Sequence, residues 1–117
     1  MKVLKRFDDG VVIKEKKVYG TLIAFIGDNL GLHAIGGFKE GFTALRCCRF
    51  CSATYSEVLK MVKEEPSMLR DKKTHDRQCS QIQTAKGKNE ALSKEYGVNR
   101  YSVLNNLSSF HCCDMML

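Results

Sequence analysis

Two short patterns in this sequence have the spacing of metal ligands. Cys48 and Cys51 form C-x₂-C, and further on His75 and Cys79 form H-x₃-C. If residues 72–84 are helical, His75 and Cys79 share one helix face. A knuckle and a helical turn can together close a tetrahedron around Zn²⁺, which prefers thiolate and imidazole donors. A closed site of that kind is structural, because its binding free energy supports folding. The gap between the two pairs is longer than in a standard zinc finger. Cys47 would replace Cys48 only at the less usual C-x₃-C spacing. His111, Cys112 or Cys113 could supply a ligand in place of His75 or Cys79, an arrangement ranked second. The competing reading is a set of buried, inert thiols with His75 at the surface.

The other chemically suggestive residue is Asp28, which directly follows the apolar run 22–26 and Gly27. Open α/β folds place reactive groups at the C-terminal edges of their strands. Two-metal nucleases and polynucleotide transferases gather several carboxylates there to hold Mg²⁺ or Mn²⁺. One carboxylate does not make such a site, and its residue type favours Asp28 as the cap of a following helix or turn. Asn29 and His33 call for the same restraint, with His33 read as a packing or surface residue. Asp8 and Asp9 precede Gly10 and read as turn residues. No Walker loop, nucleophile elbow or metalloprotease helix is present.

The elements that would carry these residues follow from local pattern. Residues 11–13 and 18–26 read as two strands around a polar reversal, "KEKK", the second strand being central because its run is continuously apolar. Leu30, Ala34, Phe38 and Phe42 recur at helical spacing, weakened by Gly31, Gly36 and Gly37. "CCRFCSA" is a tight knuckle, and Ser56 is placed to cap a short helix through Val62, which Pro66 breaks or restarts. Helices are expected from about Lys72 to Thr84 and over "NEALSKEYG", which closes at Gly97. Residues 98–117 carry no period and read as extended or irregular.

The chain has 117 residues and a net charge of +6, enough for one small domain with a moderately basic surface. Basic residues spread over 46–100, with Arg46, Arg49, Lys60, Lys63, Arg70, Lys72, Lys73 and Arg77 around the proposed zinc ligands. They make either a solvated face or a surface for weak, sequence-independent DNA binding. The start lacks the apolar core of a signal peptide, and no run approaches the ~18 residues of a membrane span. Six cysteines in such a chain argue for reduced thiols or metal ligands, and for a nuclear or cytoplasmic protein rather than a secreted one. The apolar end, "FHCCDMML", suggests a fragment of something longer, with flanking segments or a protein partner missing.

Taken in order, "VYGTLIAFIGDNLG", "HAIGGFKEGF", "CRFC", "LRDKKTHDRQC" and "FHCCDMML" resemble the core of transposase-derived proteins of animal genomes, related to CACTA-like DDE transposases. The resemblance runs from about Val11 to Leu117. It implies an α/β fold in which 1–46 is a partial RNase H-like sheet, made of the N-terminal hairpin and the central strand. It implies that 47–85 is a zinc-stapled helical insertion and 86–117 a truncated helix and irregular tail. Asp28 matches the middle catalytic carboxylate, and Cys48, Cys51, His75 and Cys79 match the insertion's ligands, with Cys79 where relatives carry histidine. The first and last carboxylates have no counterpart here. The resemblance therefore implies a fragment of a divalent-metal-dependent DNA-processing protein, inactive alone, with Mg²⁺ or Mn²⁺ bound only in a complete relative. The alternative is a non-catalytic, zinc-stabilised module that binds DNA or protein, and a third reading is a gene remnant with no function.

Overall fold

The computed structural model describes residues 1–41, 43–114 and 116. It begins with a helix, α1 (Lys2–Asp9), where the sequence suggests only a turn at Asp8 and Asp9. Lys5 explains the difference: its ammonium meets Asp8 at 3.1 Å and Asp9 at 3.0 Å, one helical turn on. Asp8 also accepts hydrogen bonds from the Ser108 N–H at 2.9 Å and the Ser108 hydroxyl at 2.7 Å. This second set of partners comes from far along the chain, and these bonds hold the Asp8 carboxyl below its ordinary range.

A hairpin follows, β1 (Val11–Ile13) and β2 (Lys16–Val18), antiparallel with Val11 opposite Val18. Its two-residue turn puts Lys14 and Glu15 at positive φ, 47° and 67°, the backbone that matches strand twist in tight hairpins. The expected long second strand stops at Val18. Residues 19–28 continue without a ladder, tied to the rest of the fold by the Gly20 N–H donating to the Phe7 carbonyl, a Thr21–Ser109 hydroxyl contact and a parallel bridge between Phe25 and Met116. The continuous apolar run would suit a strand covered on both faces. Here Leu22 and Phe25 pack against the core while Ile23 and Ile26 stay 78% and 76% exposed. Among the described residues, β1–β2 is the only sheet.

Helix α2 (Asn29–Gly36) stops at Gly37, whose left-handed φ of 73° ends it. Phe38 lies beyond the helix and bridges Val98, and Phe42 falls outside the described residues. The short α3 (Tyr55–Val58) starts earlier than expected. Thr54 rather than Ser56 caps it, because Glu57 completes a capping box with Thr54. Pro66 restarts the chain as a single 3₁₀ turn, Pro66–Met68. Helix α4 (Lys72–Thr84) matches the expected range and is capped by Asp71, which accepts from the Thr74 N–H at 2.9 Å. Helix α5 (Asn89–Tyr96) packs against it. Asn89 donates to the Ile82 carbonyl at 2.8 Å and Tyr96 to Gln81 at 3.1 Å.

The core lies where α2, α4 and the last twenty residues meet. Leu32 and Phe38 come from one side, Cys79 and Ile82 from α4, and Val98, Leu104, Leu107, Phe110, Cys112 and Met116 from the final segment. That segment lacks a period because it folds as turns and one 3₁₀ helix, Val103–Asn106. It nonetheless supplies six of the ten buried side chains of this cluster. No helix among the described residues is long and apolar enough to cross a membrane.

Gly97 ends α5 at φ +70°, and a Cβ there would overlap the Arg46 carbonyl. Gly97→Ala is expected to cost about 2–4 kcal/mol, the left-handed penalty plus that overlap. Gly87, at φ +76° with open space around it, is the control and should lose only about 1–2 kcal/mol as alanine. Urea unfolding of the two variants checks this, and equal losses would refute the overlap.

Candidate metal centre

Because Asp71 fixes the start of α4, His75 and Cys79 share its inner face, each only 1% exposed. The Cys79 sulfur stands 3.7 Å from His75 Nδ1. The final segment brings the Cys112 sulfur to 3.8 Å from His75 Nε2 and the His111 ring to 5.4 Å from that of His75, edge to face. His75, His111 and Cys112 are all buried, and their ligand atoms lie within 4.8 Å of one another. Tetrahedral Zn²⁺ with ordinary bond lengths separates its ligand atoms by about 3.3–3.8 Å. Without an ion, the same spacing serves weak S–H···N hydrogen bonds.

His111 is held from both sides. Its Nε2 donates to Asp76 Oδ1 at 3.1 Å, and its Nδ1 accepts the Cys113 N–H at 3.2 Å. A carboxylate on one nitrogen fixes the tautomer, as in carboxylate–histidine–metal arrangements, but the lone pair on the other is engaged by the Cys113 N–H, a bond that metal ligation would have to displace. The thiols differ sharply. Burial, with Cys112 adding to it, pushes the Cys79 thiol up to about 12. Within the Cys112–Cys113 pair the charge settles on Cys112. It accepts a hydrogen bond from the Cys113 thiol, is supported by His75 and Asn105, and is drawn well below the ordinary thiol range. Cys113 is raised by holding that proton and by burial.

The C-x₂-C knuckle forms a second cluster. Cys51 bridges Leu69, the Ser52 N–H donates to the Met68 carbonyl at 2.7 Å, and the Arg70 N–H to the Phe50 carbonyl at 2.8 Å. The Cys48 and Cys51 side chains are hydrogen-bonded to each other, and burial above all raises the Cys51 thiol. Beneath them lies Arg70, 9% exposed. Its guanidinium donates to the carbonyls of Cys48 at 2.9 Å, Arg46 at 3.1 Å and Tyr96 at 2.8 Å. Among the described residues it forms no ion pair with a carboxylate.

Of the expected ligands, then, His75 and Cys79 are neighbours and Cys48 and Cys51 are neighbours. Around His75 the fold gathers Cys79, His111 and Cys112, where spacing ranks a ligand from 111–113 second, as a substitute for His75 or Cys79. Arg70 and Asp76 carry no signal in the sequence, since their partners come from distant segments. His33 packs as expected, bonded through its ring nitrogens to the carbonyls of Asn29 at 2.7 Å and Cys47 at 3.2 Å.

Asp28 caps α2, its Oδ1 accepting the Gly31 N–H at 2.9 Å. Asp28→Ala should therefore cost about 1 kcal/mol, whereas Asp28→Asn, an equally good cap, should change stability by less than about 0.5 kcal/mol. Chemical denaturation distinguishes them, and a large loss in the asparagine variant would mean the carboxylate's charge is needed for more than capping. Of the basic residues, Arg46 is tied to the Glu95 carbonyl, Arg49 bonds Asn29 and stacks 4.2 Å over Phe50, and Arg70 is buried. Lys60, Lys63, Lys72, Lys73 and Arg77 remain exposed. Compared with family models, curated proteins and solved structures, the chain matches none of them.

Proposed function

We propose that this chain is a metal-stapled, non-catalytic binding module of transposase-like descent. A structural Zn²⁺ sits among His75, His111, Cys112 and Cys79, and the exposed cations of α4 meet DNA phosphates without reading bases. The observation that carries the metal reading is the buried group of His75, His111 and Cys112, whose donor atoms lie within 4.8 Å of one another, with the Cys79 sulfur 3.7 Å from His75. Imidazole and thiolate suit Zn²⁺ better than the hard ions of phosphoryl transfer. The non-catalytic reading is supported by Asp28, whose carboxylate is engaged as a helix cap. Binding of Mg²⁺ or Mn²⁺ for DNA cleavage is left to longer relatives with further carboxylates.

Metal analysis of purified protein should find zinc that Cys112→Ser and His75→Ala both lower. A single ion closed instead by Cys48, Cys51, His75 and Cys79 would be lost equally on Cys48→Ser. Metal-free protein would end the metal reading. DNA binding, followed by anisotropy, should be weak, indifferent to sequence and steeply reduced by salt. Replacing Lys72, Lys73 and Arg77 by glutamine should flatten the logarithmic salt slope by about one for each phosphate no longer neutralised. Binding that ignores salt would refute the basic face, and Mg²⁺-dependent nicking abolished by Asp28→Asn would restore the catalytic reading.

A further inference from the structure

We propose that two copies of this chain exchange their hairpin tips, the basic tip of each β1–β2 hairpin docking in an acidic cleft of the other copy. The contact is independent of the zinc reading above, because neither surface contains a residue of the His75 cluster.

The cleft lies where the knuckle, residues 61–70 and the final segment meet. Phe50, Met61 and Leu69 give it apolar surface, and the exposed residues Glu64, Glu65 and Asp114 line it as well. Its volume is about 510 Å³, enough for a few side chains. Among the described residues, none of the three carboxylates forms an ion pair, and Glu65 accepts the Ser67 hydroxyl at 3.1 Å. Arg70 also lines the cleft, but its guanidinium is turned to the carbonyls of Cys48, Arg46 and Tyr96. Three carboxylates against one guanidinium leave the cleft with a charge of −2, in a chain whose net charge is +6. Apolar surface beside carboxylates fits a segment that presents aliphatic side chains and ammonium groups together.

The hairpin has that composition. None of its six strand residues is buried, and a two-stranded sheet on its own is only marginally stable in water. Ile13 stands opposite Lys16, so an exposed aliphatic side chain and an ammonium share one face at the end of the ladder, with Lys14 in the turn beyond. Lys14, Lys16 and Lys17 against Glu15 give the tip a charge of +2, and among the described residues none of these four forms an ion pair. Lys17 rests over Tyr19 instead, 5.2 Å from the ring centroid. The tip thus carries the charge of the cleft with opposite sign. The same lysines oppose the other simple self-contact, edge-to-edge pairing of β2, because Lys16 and Lys17 would face their own copies. Mutual exchange makes the tip-to-cleft contact twice and closes a two-fold dimer.

Analytical ultracentrifugation of the full chain, kept in excess Zn²⁺, tests the exchange. The wild type should form a dimer whose affinity falls about tenfold or more on raising salt to about 0.5 M, since exposed charges are screened. Glu64→Lys/Glu65→Lys turns the cleft from −2 to +2, and Lys16→Glu/Lys17→Glu turns the tip from +2 to −2. Each double variant should be monomeric, and the chain carrying all four substitutions should dimerise again, because both charges are then reversed together. Circular dichroism checks that each variant is folded. If a reversal unfolds the chain, Glu64→Gln/Glu65→Gln and Lys16→Gln/Lys17→Gln take its place, each expected to weaken the dimer about tenfold, and unchanged affinity in either would overturn the contact. Wild-type protein that stays monomeric at about 0.1 mM in low salt would also overturn it and leave the cleft to a different basic partner. A dimer that survives either charge reversal would overturn it too, as would one lost in both double variants and not restored by the fourfold substitution.

Discussion

Chelating the proposed zinc is expected to destabilise the protein by about 5 kcal/mol or more, the largest effect anticipated for any treatment. Structural zinc in small domains contributes on the order of 10 kcal/mol of apparent binding free energy at neutral pH, and binding that is confined to the folded state adds directly to stability. The ion would lie within the buried core. His75 is packed between Phe38, 5.2 Å away ring to ring, and His111 at 5.4 Å. Without metal, His75 and Cys79 stay buried with only weak S–H···N hydrogen bonds, while His111 keeps its bonds to Asp76 and the Cys113 N–H. Cys112→Ser is the cleaner variant, since it removes a thiolate with little change of volume, whereas His75→Ala also opens a cavity. Thermal melts with and without chelator measure the effect. A melting temperature unmoved by chelation would show that these residues fold without an ion.

Removing the Arg70 guanidinium is expected to cost about 3–5 kcal/mol. Arg70→Met keeps most of the packing volume but strands three carbonyl oxygens, and each buried acceptor left unpaired costs about 1–3 kcal/mol. Two of those carbonyls belong to the stretch 46–48, and the third is that of Tyr96, the last residue of α5. A helix C-terminus presents unpaired carbonyls and partial negative charge, so a cation there does two tasks at once. Burial pushes the Arg70 pKa down, but the neighbouring thiols oppose that shift. Arg70→Lys should recover little, because a single ammonium cannot reproduce the planar fork that spans three acceptors. Urea titration gives the loss, and a change under about 1 kcal/mol would mean that water replaces the guanidinium.

The sequence is most legible where structure is local. The helix beginning near Lys72, the face shared by His75 and Cys79, and the glycine closing α5 depend on neighbours within a turn, and all three are present in the fold. The capping reading of Asp28 has the same origin and the same outcome. Legibility fails where a partner comes from far away. Nothing in "RFDD" says that Ser108 will bond Asp8. An apolar run such as 22–26 cannot announce whether a second strand will cover it. The final segment hides its contribution to the core because turns and 3₁₀ backbone bury side chains without a repeating interval. For the candidate metal donors, spacing marks two local pairs of neighbours, but a vicinal Cys112–Cys113 has no standard ligand spacing, so it ranks only as a source of a substitute ligand.

The bridges Phe25–Met116 and Phe38–Val98 join segments that are remote along the chain. Contacts of this kind form late, because the loop-closure entropy must be overcome before they bring any gain. The pairing of α4 with α5 needs only a short connection and can form first. His75 and Cys79 are therefore in place on a formed helix before Cys112 reaches them. During synthesis the delay is on the order of seconds. In that interval the half-built site is open to solvent, and Cys79 lacks the enclosure that later suppresses its thiolate. The order of arrival thus makes the nascent chain, rather than the finished fold, the state in which these thiols are most open to oxidants.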